Sequence, residues 1–243
     1  MRISIPWVIL GLMLPATLFP IVPNFDMVDT PTAVTMPKRA YTMSFTEYDE
    51  GGILTKAAIG LHDNIFLGAA FDIEHAIGRE DVKMGIPAVI ARAKITDGWD
   101  NFPLLIAVGY DSIYSHYLPN EVTEENKEKM DTILYGPHLT FTKPVFIGKM
   151  EQHFHLGVRM PVQPEYYPHD TSMYFAFDFP MGIFVPIIEF ENIYFDHRRL
   201  REISTNLGFR FNIFSSLAFE FSFLMIPKRK VNRMLVIEFI HEF

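Results

Sequence analysis

The last eleven residues, RMLVIEFIHEF from Arg233 to Phe243, constrain the fold more than any other stretch. In an extended chain Leu235, Ile237, Phe239 and Phe243 fall on one face, and Glu238 and Glu242 fall on the other, with Val236 and Ile240 between them. A strand built this way separates two environments. They are either the core and surface of a soluble β-protein, or lipid and a wet interior.

Composition bears on that choice. The 243 residues suit one large unit, and no linker divides them. Apolar residues make up 49% and charged residues 21%, and mean hydropathy is +0.13. No second 20-residue apolar run follows the N-terminus, which excludes a helical multi-span protein. The 23 Phe and 10 Tyr are spread in alternation instead, as expected where short strands face lipid and aromatics border it. A formal charge of −8 argues against a nucleic-acid partner, which requires a basic face. With no cysteine there is neither a disulfide framework nor a thiolate metal site.

Residues 1–23 carry one early positive charge, Arg2, and an apolar run from Ile3 to Leu18 broken by Pro6, Gly11 and Pro15. This reads as a secretory signal, the alternative being a retained N-terminal anchor. A polar, proline-punctuated lead, residues 24–38, follows, as a periplasmic segment or a plug of the lumen. From Arg39 to Phe243 period-2 segments alternate with turn residues. Early ones are Tyr41 to Tyr48, with Tyr41, Met43 and Phe45 on the apolar face, then Ile53 to Gly60 and Ile65 to Ile73. Later ones include Leu134 to Thr142 and Gln152 to Val162, joined by a loop over Lys143 to Glu151. Ile183 to Tyr194 turns Ile188, Phe190 and Tyr194 outward, and Leu217, Phe219, Phe221 and Phe223 alternate without a break.

The count is about twelve strands of roughly nine to eleven residues, the length that crosses a bilayer at a tilt. The expected architecture is therefore all-β, a closed antiparallel up-and-down transmembrane barrel. Longer loops, among them the one holding EVTEENKEKMD, fall on one side and tight turns mostly on the other.

A chain closing on an alternating strand with a terminal aromatic resembles bacterial outer-membrane barrels. The resemblance implies an outer-membrane location, contact with its lipid and lipopolysaccharide, and recognition of Phe243 by the barrel assembly machinery. Asp29-Thr30-Pro31-Thr32-Ala33, Met36-Pro37-Lys38, Gly51-Gly52 and Gly60-Leu61-His62-Asp63-Asn64, leading into Ile65 to Phe71, resemble the opening of YjbH-like outer-membrane proteins. That likeness implies a link to exopolysaccharide export.

The inward face is expected to collect Lys56, Asp72, Arg92, Lys94, Asp111, His138, His153, His155, Arg159, Asp178, Glu189, Glu191, Asn206, Arg210, Glu220 and Glu238. An Arg or Lys facing lipid at mid-height costs about 2 to 4 kcal/mol, so these groups face water or one another. A turn near Ser215 sets Arg210 opposite Glu220 as a cross-strand ion pair. A turn around Val145 to Gly148 brings His138 beside His153 and His155, three imidazoles able to hold zinc or copper, although lumen histidines more often bond to carboxylates and water.

The function expected first is a narrow channel for small polar solutes, without a cofactor. Two other readings stand beside it. One is a structural or export-associated envelope protein, or an adhesin, whose basic loops Arg198-Arg199-Arg201 and Lys228-Arg229-Lys230 touch lipopolysaccharide phosphates. The other is a lipid-modifying enzyme. Against an enzyme, His138 and Thr140 share an inward face, Ser112 and His241 lack partners, and no GxSxG, HExxH or P-loop occurs.

Overall fold

A computed structural model describes residues 22–85, 87–99, 102–111, 135–148, 150–161, 171–195, 203–225 and 231–243. Residues 1–21 of the expected signal, Ser112, the EVTEENKEKMD loop and both basic clusters lie outside the described residues. Among those described, no helix is long and apolar enough to cross a membrane, and the chain is almost entirely strand.

The strands are β1 (Ala40–Tyr48), β2 (Gly52–His62), β3 (Ile65–Glu74), the two-residue β4 (Lys83–Met84), β5 (Ala88–Thr96) and β6 (Leu105–Asp111). They continue with β7 (Tyr135–Ile147), β8 (Met150–Pro161), β9 (Ser172–Asp178), β10 (Phe184–Tyr194), β11 (Ser204–Phe214), β12 (Leu217–Met225) and β13 (Asn232–Glu242). Each pairs antiparallel with its neighbour, β3 passes over β4 to pair with β5, and β13 returns to β1, from Ala40↔Glu242 to Glu47↔Leu235. With β2 paired to both β1 and β3, twelve strands of the described residues close into a barrel, and β4 is a short flap on the end of β3. Closure gives each of the twelve described barrel strands a partner on both sides, which a sheet this apolar on its outer face requires.

Alternation sorts the side chains. Met43, Phe45, Leu67, Val89, Phe221 and Phe239 point outward and are exposed, while their neighbours Arg92, Glu220, Ser222 and Glu238 are buried inside. Aromatic pairs tile the outer surface, with Phe175 and Phe190 stacked at 4.7 Å and Phe154 tilted against Phe177 at 5.0 Å.

Three local expectations need correction. The loop foreseen over Lys143 to Glu151 is strand almost throughout, because β7 and β8 run on to Ile147↔Met150. The chain reverses at Gly148, whose φ of +64° suits glycine in a tight hairpin turn. Tyr194 points inward, not outward. A register shift between Phe190 and Ile193, with Asn192 at φ +57°, inserts a bulge that flips the faces beyond it. Nor is the interior uniformly polar: Leu54, Phe66, Ile90, Val185, Ile187 and Leu224 are inward and buried.

What these apolar groups pack against is the segment that precedes β1. Residues 25–32 form a tight reversal: Thr32 N donates to Phe25 O at 3.0 Å, Met27 N donates to Thr30 O at 2.8 Å, and Asp26 bridges Pro31. Val22, Phe25 and Met36 join one apolar cluster with β2, β3, β5, β12 and β13. Met27 and Val28 join a second with β9, β10, β12 and β13. The segment passes close over Gly60, where a Cβ would lie 1.9 Å from the Pro37 carbonyl oxygen.

Candidate functional site in the barrel interior

The inner wall and residues 22–38 together form one polar network. Asp26 sits between two cations, 3.0 Å from Lys56 Nζ and 2.9 Å from Arg92 Nη2. Burial alone would raise its pKa, but the charges of Lys56 and Arg92 outweigh that and hold it well below the usual carboxylate range. Arg92 also donates to the carbonyls of Phe25 (2.6 Å) and Val34 (3.3 Å), and its guanidinium lies 5.0 Å over the Phe66 ring.

On the opposite wall Glu189 receives the tip of the reversal. The backbone N–H groups of Asp29 and Thr30 donate to its carboxylate at 3.1 to 3.3 Å, and the Thr30 hydroxyl donates at 2.5 Å. Asn206 Nδ2 donates to both Glu189 (2.7 Å) and Glu191 (2.8 Å), and Arg159 pairs with Glu191 while donating to the Asp29 carbonyl at 3.3 Å. Glu189 and Glu191 are two apart on β10, so both point inward, and neither is exposed at all.

Tyr174 Oη donates to the Pro31 carbonyl at 2.9 Å. A carbonyl can only accept, so the phenolic hydrogen is committed there and the Thr140 hydroxyl, 2.6 Å away, is the donor to Tyr174. The ring fits because its cross-strand partner is Gly157, where a Cβ would stand 2.2 Å from the ring. Lower on the same wall, Asn24 Nδ2 donates to Asp178 Oδ2 at 2.9 Å, and Ala33 N donates to Thr142 Oγ1 at 2.9 Å.

The remaining inward candidates divide by position. Arg210 stands opposite Glu220, 3.9 Å away, but its shorter bond, 2.5 Å, goes to Glu238 on β13. Asp72 accepts from Tyr48 Oη at 2.8 Å. Lys94 reaches Asp97 in the following turn at 2.5 Å, at the end of the barrel rather than in its middle. Asp111 Oδ1 is buried and has no hydrogen-bond partner among the described residues.

The three-histidine cluster does not form. The hairpin reverses at Gly148, so His138 lies opposite Arg159 and not beside His155. Its ring packs against Gly109 instead, and its Nε2 is buried without a partner. The neighbour of His153 and His155 is Asp178. His153↔Asp178 are cross-strand partners, with His153 Nδ1 2.9 Å and His155 Nε2 3.3 Å from Asp178 Oδ1.

The barrel fold is similar to solved structures. A KdgM porin in complex with disordered oligogalacturonate superposes with a TM-score of 0.53 at 10% identity, over 82% of this chain and 98% of that one. A second KdgM porin structure gives 0.52 at 8% identity with the same coverage. The fold is that of a bacterial outer-membrane porin barrel. The apolar exterior is its physical counterpart, a belt that only lipid satisfies. The Acinetobacter baumannii outer membrane protein Omp33 superposes at 0.45 with 9% identity, over 84% of this chain and 97% of that one. No protein family and no curated protein sequence matches the chain.

Sequence reasoning offers residues 24–38 as a periplasmic segment or a plug of the lumen; what it misses is the set of inward groups that hold them. Two signals favour the plug: inward positions such as Leu54 and Phe66 that no wet lumen needs, and the run of small polar and apolar residues from Thr30 to Met36.

Proposed function

We propose that the chain is a narrow outer-membrane channel for small polar solutes, closed at rest by residues 24–38 acting as a plug. The observation that carries this reading is the attachment of that segment on all sides by bonds to inward side chains, Asp178, Glu189, Arg92 and Tyr174 among them. A lumen lined by such groups is wet once the segment leaves. Five buried carboxylates (Asp178, Glu189, Glu191, Glu220, Glu238) face three guanidiniums (Arg92, Arg159, Arg210) among the described residues, which favours neutral or cationic solutes over anions.

Planar-bilayer recording tests this. The whole barrel is expected to open rarely, and a variant lacking residues 24–38 to conduct steadily with cation preference. A refolded deletion variant that stays at bilayer background overturns the reading. Thr30, Thr32, Ala33 and Met36 are fully buried in the interior, so that result favours a closed structural or export-associated barrel, the role the YjbH-like lead suggests. We further propose that Phe243, exposed and stacked at 5.2 Å on Tyr41, is the element read by the assembly machinery.

A further inference from the structure

We infer that His153, His155 and Asp178 form a binding site for a divalent first-row transition ion, with Asn24 of the lead supplying a further oxygen. The ligand atoms already converge. One from each of the three residues lies within 4.8 Å of the others, on the paired strands β8 and β9. A tetrahedral ion with bonds of about 2.1 Å needs ligand atoms about 3.4 Å apart, so the 3.3 Å separation fits, the 2.9 Å one opens by about half an ångström, and the imidazoles close toward each other. Two imidazoles and a carboxylate suit zinc and its neighbours and do not suit calcium or magnesium, which take oxygen ligands.

The surroundings have the features of a ligating site. Thr142 Oγ1 holds His155 Nδ1 at 2.9 Å and so fixes Nε2 as the atom facing Asp178. When an ion takes Nε2, the ring hydrogen moves to Nδ1 and is donated to Thr142. The His155 and Asp178 side chains are nearly inaccessible, whereas that of His153 is 29% exposed, which leaves an entrance on one side. Glu151 Oε1, 3.5 Å from His153 Nε2, adds negative charge at that entrance.

An independent observation points to the missing ligand. Asn24 is buried, its Nδ2 donates to the second oxygen of Asp178, and its Oδ1 has no hydrogen-bond partner among the described residues. Leaving a buried carbonyl oxygen unmatched costs about 1 to 3 kcal/mol. Rotation of the amide by half a turn places this oxygen on the side of Asp178, where an ion satisfies it. The ion then joins the lead to the wall, and Ala33 N on Thr142 makes the second tie between them.

Equilibrium dialysis of the refolded full-length barrel against Zn²⁺ tests the site, independently of whether the barrel conducts. One ion per chain is expected to be retained. The double variant H153A/H155A should lose it, while H241A, which removes an exposed histidine on β13, should bind as the parent does. N24A should weaken retention about tenfold or more, the usual effect of losing a supporting ligand. Strand content by circular dichroism identifies any variant that has failed to fold, and the milder H153Q then replaces the double variant. No retention by the parent, or equal retention by the folded histidine variants, overturns the site. Unchanged retention by N24A overturns the link to the lead.

Discussion

The two sides of the interior hold the same short segment by different physics. Toward β2, β3 and β5, residues 22–36 bury Val22, Phe25 and Met36 in a shared apolar cluster, and the directional contacts there come from two cations, Lys56 and Arg92 meeting the Asp26 carboxylate and Arg92 also the Phe25 and Val34 carbonyls. Toward β8, β9 and β10, it is held by its backbone, with Glu189, Tyr174 and Arg159 each meeting N–H or C=O groups of residues 29–31. Apolar packing is tolerant of small displacement, whereas a carboxylate accepting two N–H groups fixes register. The first side therefore supplies adhesion and the second supplies position.

Variants should separate the two, in decreasing order of effect. Arg159→Ala strands Glu191 without its guanidinium in a fully buried place and is expected to cost about 3–5 kcal/mol, read as a shift in the urea midpoint of the lipid-refolded barrel. A shift near zero would mean that water or another group already compensates Glu191. Met36→Ala should cost about 2 kcal/mol, at the low end for a buried methionine because the lead can settle into the space. If it costs as much as Arg159→Ala, the packed side fixes position too and the contrast fails. Tyr174→Phe keeps the ring over Gly157 and removes the bond to Pro31 together with the one from Thr140, so about 1–2 kcal/mol is expected in the same assay.

The smallest effect expected is a dependence on acid. Asp26 has a lower pKa in place than its ordinary 3.8, so its contribution is complete above that value and fades as pH falls below it toward the depressed one. Protease protection of the lead should stay level from neutral pH to about 4 and weaken at lower pH, and Asp26→Asn should flatten that part of the profile. An unchanged acid limb in the variant would assign it to another carboxylate.

The wall was legible because alternation is a property of each strand by itself: Phe221, Phe223 and Phe239 declare their face without reference to any partner. Arg210 and Glu220 were legible for the same reason, since a short hairpin fixes its own register. Longer-range facts were not. A two-residue shift in where β7 turns into β8 moves every cross-strand partner by four and puts Arg159, not His155, opposite His138, whereas Asp178 reaches His153 and His155 from β9 on their other side. The bulge at Asn192 that turns Tyr194 inward leaves no mark in the hydrophobic pattern. The docking of residues 22–38 depends on groups from at least nine strands, which no local periodicity reports.

The bond from Asp29 to Glu189 spans 160 residues of sequence. The lead is synthesised well before its partners on β8, β9 and β10, and these bonds can form only once those strands are in place. Until then its valines, phenylalanine and methionines are bare, and whatever escorts the nascent chain must shield this stretch as well as the strands. In the order of synthesis it leads; in the order of assembly it follows those three strands.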